Sequence, residues 1–372
     1  MSVVMTRSHH PGLGTAAIAA LAGVMLLAGL ALAAALGGLE ARDFFAAWLM
    51  GAWFWLGLSL GCLSVYMIHQ CTGGQWGETL KPFLQGALAL LPLLAVLFIP
   101  LAFAIDVLFP WSPNGEITSE VIRSKTLYLN APFQIVRLVG YFLILLLLSA
   151  ALGAWQQPLP GCSRRRVSGA GLILWALVST FLTIDWVMAL DPHFYSTLFG
   201  FVAAANQWLG ALALGTLAVC LTGGPLATAH RLNDLGNLLL AAVMFWTYVN
   251  FMQYLIIWSG DLPHEIIWYV HRGQHGWQWV GLMLVLTQFI LPFTALLSPT
   301  VKRHRVTLGA VAGLLLLGRL VESYWLIMPN FHPERAWPTL TGMVAVAGMG
   351  GLWLAGLLWL TGRWPPGQQE AL

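Results

Sequence analysis

The segment FLTIDWVMALDPHFYSTLFG, residues 181–200, buries a carboxylate, Asp185, in an apolar run. It then places Asp191 and His193 where that run should leave the hydrocarbon. A carboxylate in such a setting can carry a proton or hold a cation, and an imidazole at an interface can shuttle protons near neutral pH. Similar residues interrupt other apolar runs: Asp106, Arg137, Asn206 with Gln207, Asn250 with Gln253, and Arg319 with Glu322. Each charge costs about 2.5–3.5 kcal/mol at the centre of a spanning helix and less near its ends. These side chains should therefore face the protein interior and find partners there. Arg319 and Glu322 are spaced i, i+3, so one helix face can pair them, and Asn250 and Gln253 share that spacing. Arg137 has no acid at i±3 or i±4, which makes Asp185 its expected partner across helices. Two readings follow, inert packing clamps or a proton or quinol route, and the spacing alone leaves both open.

The elements that hold these residues are membrane helices. The 372-residue chain is 59% hydrophobic and 8% charged, with a mean hydropathy of +0.77. Its apolar runs repeatedly reach the length that crosses about 30 Å of hydrocarbon. The expected architecture is an all-α integral membrane fold of one domain, with ten spans at about 15–36, 45–70, 83–109, 131–156, 168–190, 197–221, 236–258, 276–298, 306–328 and 338–361. The ~10-residue alternating segments of a spanning β-barrel are missing from the sequence. Arg7 and the run ending LALAAALGG also fit a cleaved signal peptide, although that run exceeds the usual ~7–15 apolar residues.

Basic residues orient the spans. Both termini and the even-numbered connections carry Arg7, Lys81, Arg164, Arg165, Arg166, Arg231, Lys302, Arg303, Arg305 and Arg363. The other side has Arg42, Arg123, Lys125, Arg272 and Arg335. This bias predicts cytoplasmic termini in a multi-pass protein of the cell inner membrane. Acids, among them Glu40, Asp43, Glu116, Asp191 and Glu265, fall on the outer side. The net charge of +3 is thus a topology signal and gives no reason to expect nucleic acid. With this orientation Asp185 lies about five residues, ~7–8 Å, short of the outer end of its helix. Arg137 comes to the same depth, and the other polar residues also gather in the outer half.

Cys62, Cys71, Cys162 and Cys220 form no C-x-x-C or haem-attachment motif and read as structural thiols. His264, His271 and His275 have helical spacings that could hold a metal, but GDLPHEIIWYVHRG reads as an interfacial loop, so no metal is expected. His69 alone lies within an expected span, which disfavours haem between helices. CTGGQWGETLKP, residues 71–82, lacks the end of a phosphate loop and reads as a turn. Pro92 and Pro100 should kink the third span, and Pro192 should end the fifth, with Ser196 capping the next helix. The nineteen Trp, among them Trp53, Trp55, Trp111, Trp258, Trp268, Trp277, Trp279, Trp325 and Trp337, read mostly as an interfacial belt.

Three ordered motifs, TIDWVMALDPHFYSTLFG, DLGNLLLAAVMFWTYVNFMQYLIIWSGDLPHEIIWYVHR and RLVESYWLIMPNF, resemble the NrfD-like (polysulfide-reductase-type) membrane subunits. The likeness extends from the second span to the C-terminus and is strongest to the ActF type, the second such subunit of alternative complex III. It implies two four-helix bundles, spans two to five and six to nine, with two peripheral helices. It implies membership in a quinol:cytochrome c, or quinol:acceptor, oxidoreductase. The partners would be a paralogous NrfD-like subunit, an extrinsic iron–sulfur subunit, c-type cytochrome subunits and lipids. Iron–sulfur clusters and c haems would sit on those partners, with no resident cofactor in this chain beyond a quinol, quinone or lipid. In that family the paralogue carries the quinol site near the outer face, and a proton-conducting role has been proposed for the second subunit. By motif, Asp185 matches the acid of the S/T-x-D-W/F segment, His193 the turn histidine after it, and Arg319 and Glu322 the ninth-span motif. Asp261 and His264 depart from the N-L-P-E-E of related chains, so contacts of that loop are not carried over.

The proton-path candidates are thus Asp106, Arg137, Asp185, His193, Asn250, Gln253, Arg319 and Glu322. Whether the chain is catalytic is open. A stand-alone secondary transporter, or a purely structural anchor, would also fit ten spans with buried charge.

Overall fold

The computed structural model describes residues 13–112, 120–155, 163–223 and 227–362. Arg7, Glu116, Cys162 and Arg363, used above, lie outside them. The regular secondary structure of the described residues is all helical, without strands. Ten helices are long and apolar enough to cross a membrane: span 1 Gly14–Ala35, span 2 Ala41–Thr72, span 3 Gln75–Ala102, span 4 Ala131–Ala151, span 5 Arg164–Leu190, span 6 Phe199–Thr222, span 7 Ala229–Gly260, span 8 Trp277–Leu297, span 9 Arg305–Asn330 and span 10 Leu340–Thr361. By helix length and hydropathy this is a multi-pass membrane protein.

Span 3 departs most from expectation. The turn read over residues 71–82 shrinks to Gly73 and Gly74, whose φ angles of 72° and 105° suit only glycine, and helix resumes at Gln75. The helix breaks at Leu90, whose N–H reaches Ala87 O at 3.3 Å. Pro92 follows with no N–H to offer, and its ring opposes the carbonyl four residues back. Two residues past Pro100 the helix stops at Ala102, and residues 105–108 form a separate turn. Asp106 is therefore off the span, and it is exposed.

Span 2 is the hub, packed on spans 3, 5, 6, 9 and 10. Spans 2, 3, 4 and 5 touch in a ring, as do spans 6, 7, 8 and 9; spans 1 and 10 pair along their length. Gly61 sets the closest approach between the rings. A Cβ there would collide with the backbone carbonyl of Gln207, so only glycine lets spans 2 and 6 cross at this depth.

The tryptophans are not chiefly a belt. Trp258, Trp279 and Trp337 are exposed, but Trp53, Trp55, Trp111, Trp268 and Trp277 are buried. Several buried indoles tie one element to another, Trp48 donating to Leu97 O at 2.8 Å, Trp55 to Val346 O at 3.0 Å and Trp111 to Ala189 O at 3.1 Å. An indole fills apolar space and satisfies a single N–H, which suits it to such cross-links.

Candidate functional site: two buried ion-pair clusters

The first cluster lies between spans 4 and 5. Asn130 starts span 4 by accepting the Phe133 N–H at 3.0 Å. From there Gln134, Arg137 and Tyr141, at i, i+3 and i+7, face span 5. Asp185, 1% exposed, sits one residue before the end of the α-helical part of span 5, which closes in a 3-10 turn at Met188–Leu190. Arg137 grips it with two bonds, Nε to Oδ2 at 2.8 Å and Nη2 to Oδ1 at 3.1 Å. Tyr128 donates its hydroxyl to Oδ1 at 2.8 Å and Tyr141 to Oδ2 at 2.9 Å. Gln134 holds the Asp185 carbonyl at 3.1 Å. The Arg137 guanidinium lies over the rings of Tyr128 and Phe133, 4.0 and 4.3 Å from their centroids. All four acceptor positions of the carboxylate are thus filled. Burial, and then the Asp185 charge, push the Tyr128 phenol well above its ordinary range, so it remains a donor.

The second cluster joins spans 6, 7, 8 and 9. Arg319 and Glu322, both about 4% exposed or less, form an ion pair one turn apart on span 9. Arg319 Nε donates to Gln288 Oε1 at 2.8 Å, and Nη1 to Asn206 Oδ1 at 2.6 Å. Trp246 Nε1 donates to Asn206 Oδ1 at 2.8 Å and lies 3.1 Å from Glu322 Oε1. A π-helical turn at Leu286–Ile290 puts Gln288 in this register. Gly318 makes room for it, because a Cβ there would overlap the Gln288 amide. Beside the cluster is a cavity of about 40 Å³, lined by Trp53 and Gly57 of span 2, Thr183 of span 5, Gln207 of span 6, and Arg319 and Glu322. A water needs about 10–15 Å³ of such space, so about three fit and an aromatic head group does not.

The remaining candidates stay outside both clusters. His193 is exposed, and its backbone N–H bonds Asp191 Oδ1 at 3.2 Å. Asp106 takes the Ser112 hydroxyl. Asn250 donates to the Trp246 carbonyl of its own helix at 2.9 Å. Gln253 Oε1 accepts the Ser196 hydroxyl at 2.7 Å. Ser196 does not cap the next helix, which begins at Phe199; it lies two residues before the cap position, Leu198, and accepts that residue's N–H at 3.2 Å. Among the described residues no hydrogen bond or ion pair links the two clusters directly. Gln207 Nε2 to Ser179 Oγ, at 2.7 Å, connects spans 6 and 5 nearby.

Sequence reasoning missed Arg272, taking it for a loop charge. It is 4% exposed on a helix, Pro263–Arg272, that replaces the expected loop. Its guanidinium donates to Trp325 O at 3.2 Å, Leu326 O at 2.9 Å and Trp268 O at 3.1 Å, and lies 3.6 Å from the Trp268 ring centroid. It therefore caps carbonyls at the C-terminal end of span 9, the span of Arg319 and Glu322. Burial pulls its pKa below the ordinary guanidinium range, against the opposing pull of Asp191. On the same helix His271 is exposed, as is His275 beyond it. Among the described residues no three His, Cys, Asp or Glu side chains gather into a metal-sized group.

Fold and site define a multi-pass α-helical membrane protein with one buried ion-pair cluster in each ring of spans. No protein-family model matches the chain, and no curated protein matches it.

Proposed function

We propose that the chain is an NrfD-like integral membrane subunit of a quinol:cytochrome c, or quinol:acceptor, oxidoreductase of the alternative complex III type. It anchors extrinsic iron–sulfur and haem subunits beside a paralogous membrane subunit in the cell inner membrane. Its termini are cytoplasmic, and its two rings of spans are the two four-helix bundles of that family. Its Arg319–Glu322 cluster carries protons. The observation that supports this most is the setting of Glu322, a buried carboxylate held by Trp246 and Arg319 and opening on a water-sized cavity. A carboxylate that touches water on one side can exchange protons, whereas Asp185, with every acceptor site filled, is a clamp between spans 4 and 5. The volume beside Glu322 favours water over quinol at this carboxylate.

The saturation of Asp185 is the one feature that favours the anchor reading, and it concerns the first ring alone. A secondary transporter commonly has broken helices at matching places in its two halves. Here the Leu90 break falls on span 3 and the π turn on span 8, second in one ring and third in the other. Native purification tests the assignment. Iron–sulfur and c-haem polypeptides co-migrating with this chain are expected, and a chain that purifies alone, active in solute uptake, contradicts it.

A further inference from the structure

Two residues that line the Gly57 cavity each carry a buried polar atom with no protein partner among the described residues, Arg319 Nη2 and Gln207 Oε1. Both residues are 4% exposed, and both line the cavity. A guanidinium N–H left unpaired in a low-dielectric interior costs several kcal/mol, and an amide oxygen somewhat less. An unpartnered donor and an unpartnered acceptor beside space for about three waters are the conditions in which ordered water binds. Gly57 also lines this space, and a Cβ added there would meet no atom within 4 Å, so a side chain at this position can enter it.

We propose that this cavity is a water site, and that its waters join Glu322 of the second ring to the first ring through Thr183 and the Gln207–Ser179 pair. Each water accepts from Arg319 Nη2 or donates to Gln207 Oε1 or Glu322, so the chain of donors and acceptors continues across the gap between spans 9 and 5. The direct side-chain contacts of Glu322 all lie within the second ring. Water is therefore the element that couples Glu322 to the first ring. This rests on the proton-carrying reading of Glu322 for its consequence, but not for the presence of water.

The test is radiolytic hydroxyl-radical footprinting of the full chain in its native assembly, in which bound water oxidises the side chains it touches. Trp53 lines the cavity, whereas Trp55 and Trp48 of the same span do not, and the three are equally buried at 8%, 8% and 9%. Severalfold faster oxidation of Trp53 than of Trp55 and Trp48 is expected. In Gly57→Leu, whose side chain fills the space, Trp53 should fall to the rate of Trp55; in Gly57→Ala it should stay above it. Equal rates for the three tryptophans in the unaltered protein overturn the proposal, even if Gly57→Leu does not fold. So does an unchanged Trp53 rate in folded Gly57→Leu. A wet cavity combined with undiminished proton transfer in Glu322→Gln would leave the water site standing and remove only the proton-carrying reading.

Discussion

Arg137 holds Asp185 in a two-bond fork across spans 4 and 5, with Nε–Oδ2 at 2.8 Å and Nη2–Oδ1 at 3.1 Å. The two residues are 48 positions apart, on successive spans that run in opposite directions, so the fork pins two antiparallel helices at one depth. Tyr128 and Tyr141 complete the shell. A carboxylate so enclosed has nothing left to offer an incoming proton or cation without breaking a bond first.

Breaking the fork from one side should therefore be costly. Asp185→Asn leaves a buried guanidinium without its counter-charge, and a loss of about 3–5 kcal/mol is expected. Replacing both partners, in Arg137→Met with Asp185→Leu, should cost clearly less than the sum of the single changes. Thermal unfolding in detergent measures this as a double-mutant cycle. Additive losses would mean that the two side chains do not act as a pair.

Tyr128 gives the first cluster a pH signature. Its pKa is higher in the folded than in the unfolded chain, chiefly through burial and secondly through Asp185. Between the two values the folded chain binds the extra proton. The stability due to Tyr128 is thus complete below the unfolded value near 10 and declines as pH rises through the folded one. Unfolding followed from neutral to strongly alkaline pH should show this decline in the wild type and a shallower one in Tyr128→Phe. Identical slopes would contradict the contact.

Gly318 should tolerate no side chain. Gly318→Ala drives its methyl into the Gln288 amide, which must leave Arg319 Nε, and a destabilisation of about 1–3 kcal/mol is expected. Gly313, one turn and a half earlier on the same span, has open space at its Cβ position, and Gly313→Ala serves as the neutral comparison. Equal melting temperatures for the two variants would contradict the packing described.

Much of this was legible in the sequence, and the omissions have physical causes. Ten spans follow from apolar length, which tertiary packing cannot override in a membrane. The Arg137–Asp185 pairing follows from depth, since a fixed rise per residue places both side chains at one level and no acid lies within reach on Arg137's own helix. The i, i+3 pairing of Arg319 and Glu322 is helix geometry alone. Tyr128 was hidden because it lies outside any span and 57 residues from its partner. Gln288 was hidden because a π turn shifts the helical phase that a regular period assumes. Asp106 was misplaced for a related reason: it lies beyond the point where its helix ends, where periodicity no longer says which way a side chain turns. The polar residues fall into two clusters because each arginine finds its acid within its own ring of spans, as the spacing of each pair implies.

The central claim is that Glu322 carries protons while Asp185 does not. It is tested most directly by counting protons moved per electron in vesicles reconstituted with the purified assembly. Glu322→Gln should retain electron transfer and lose a large share of the protons moved, whereas an assembled Asp185→Asn should keep the wild-type ratio. An unchanged ratio in an intact Glu322→Gln assembly would contradict the account.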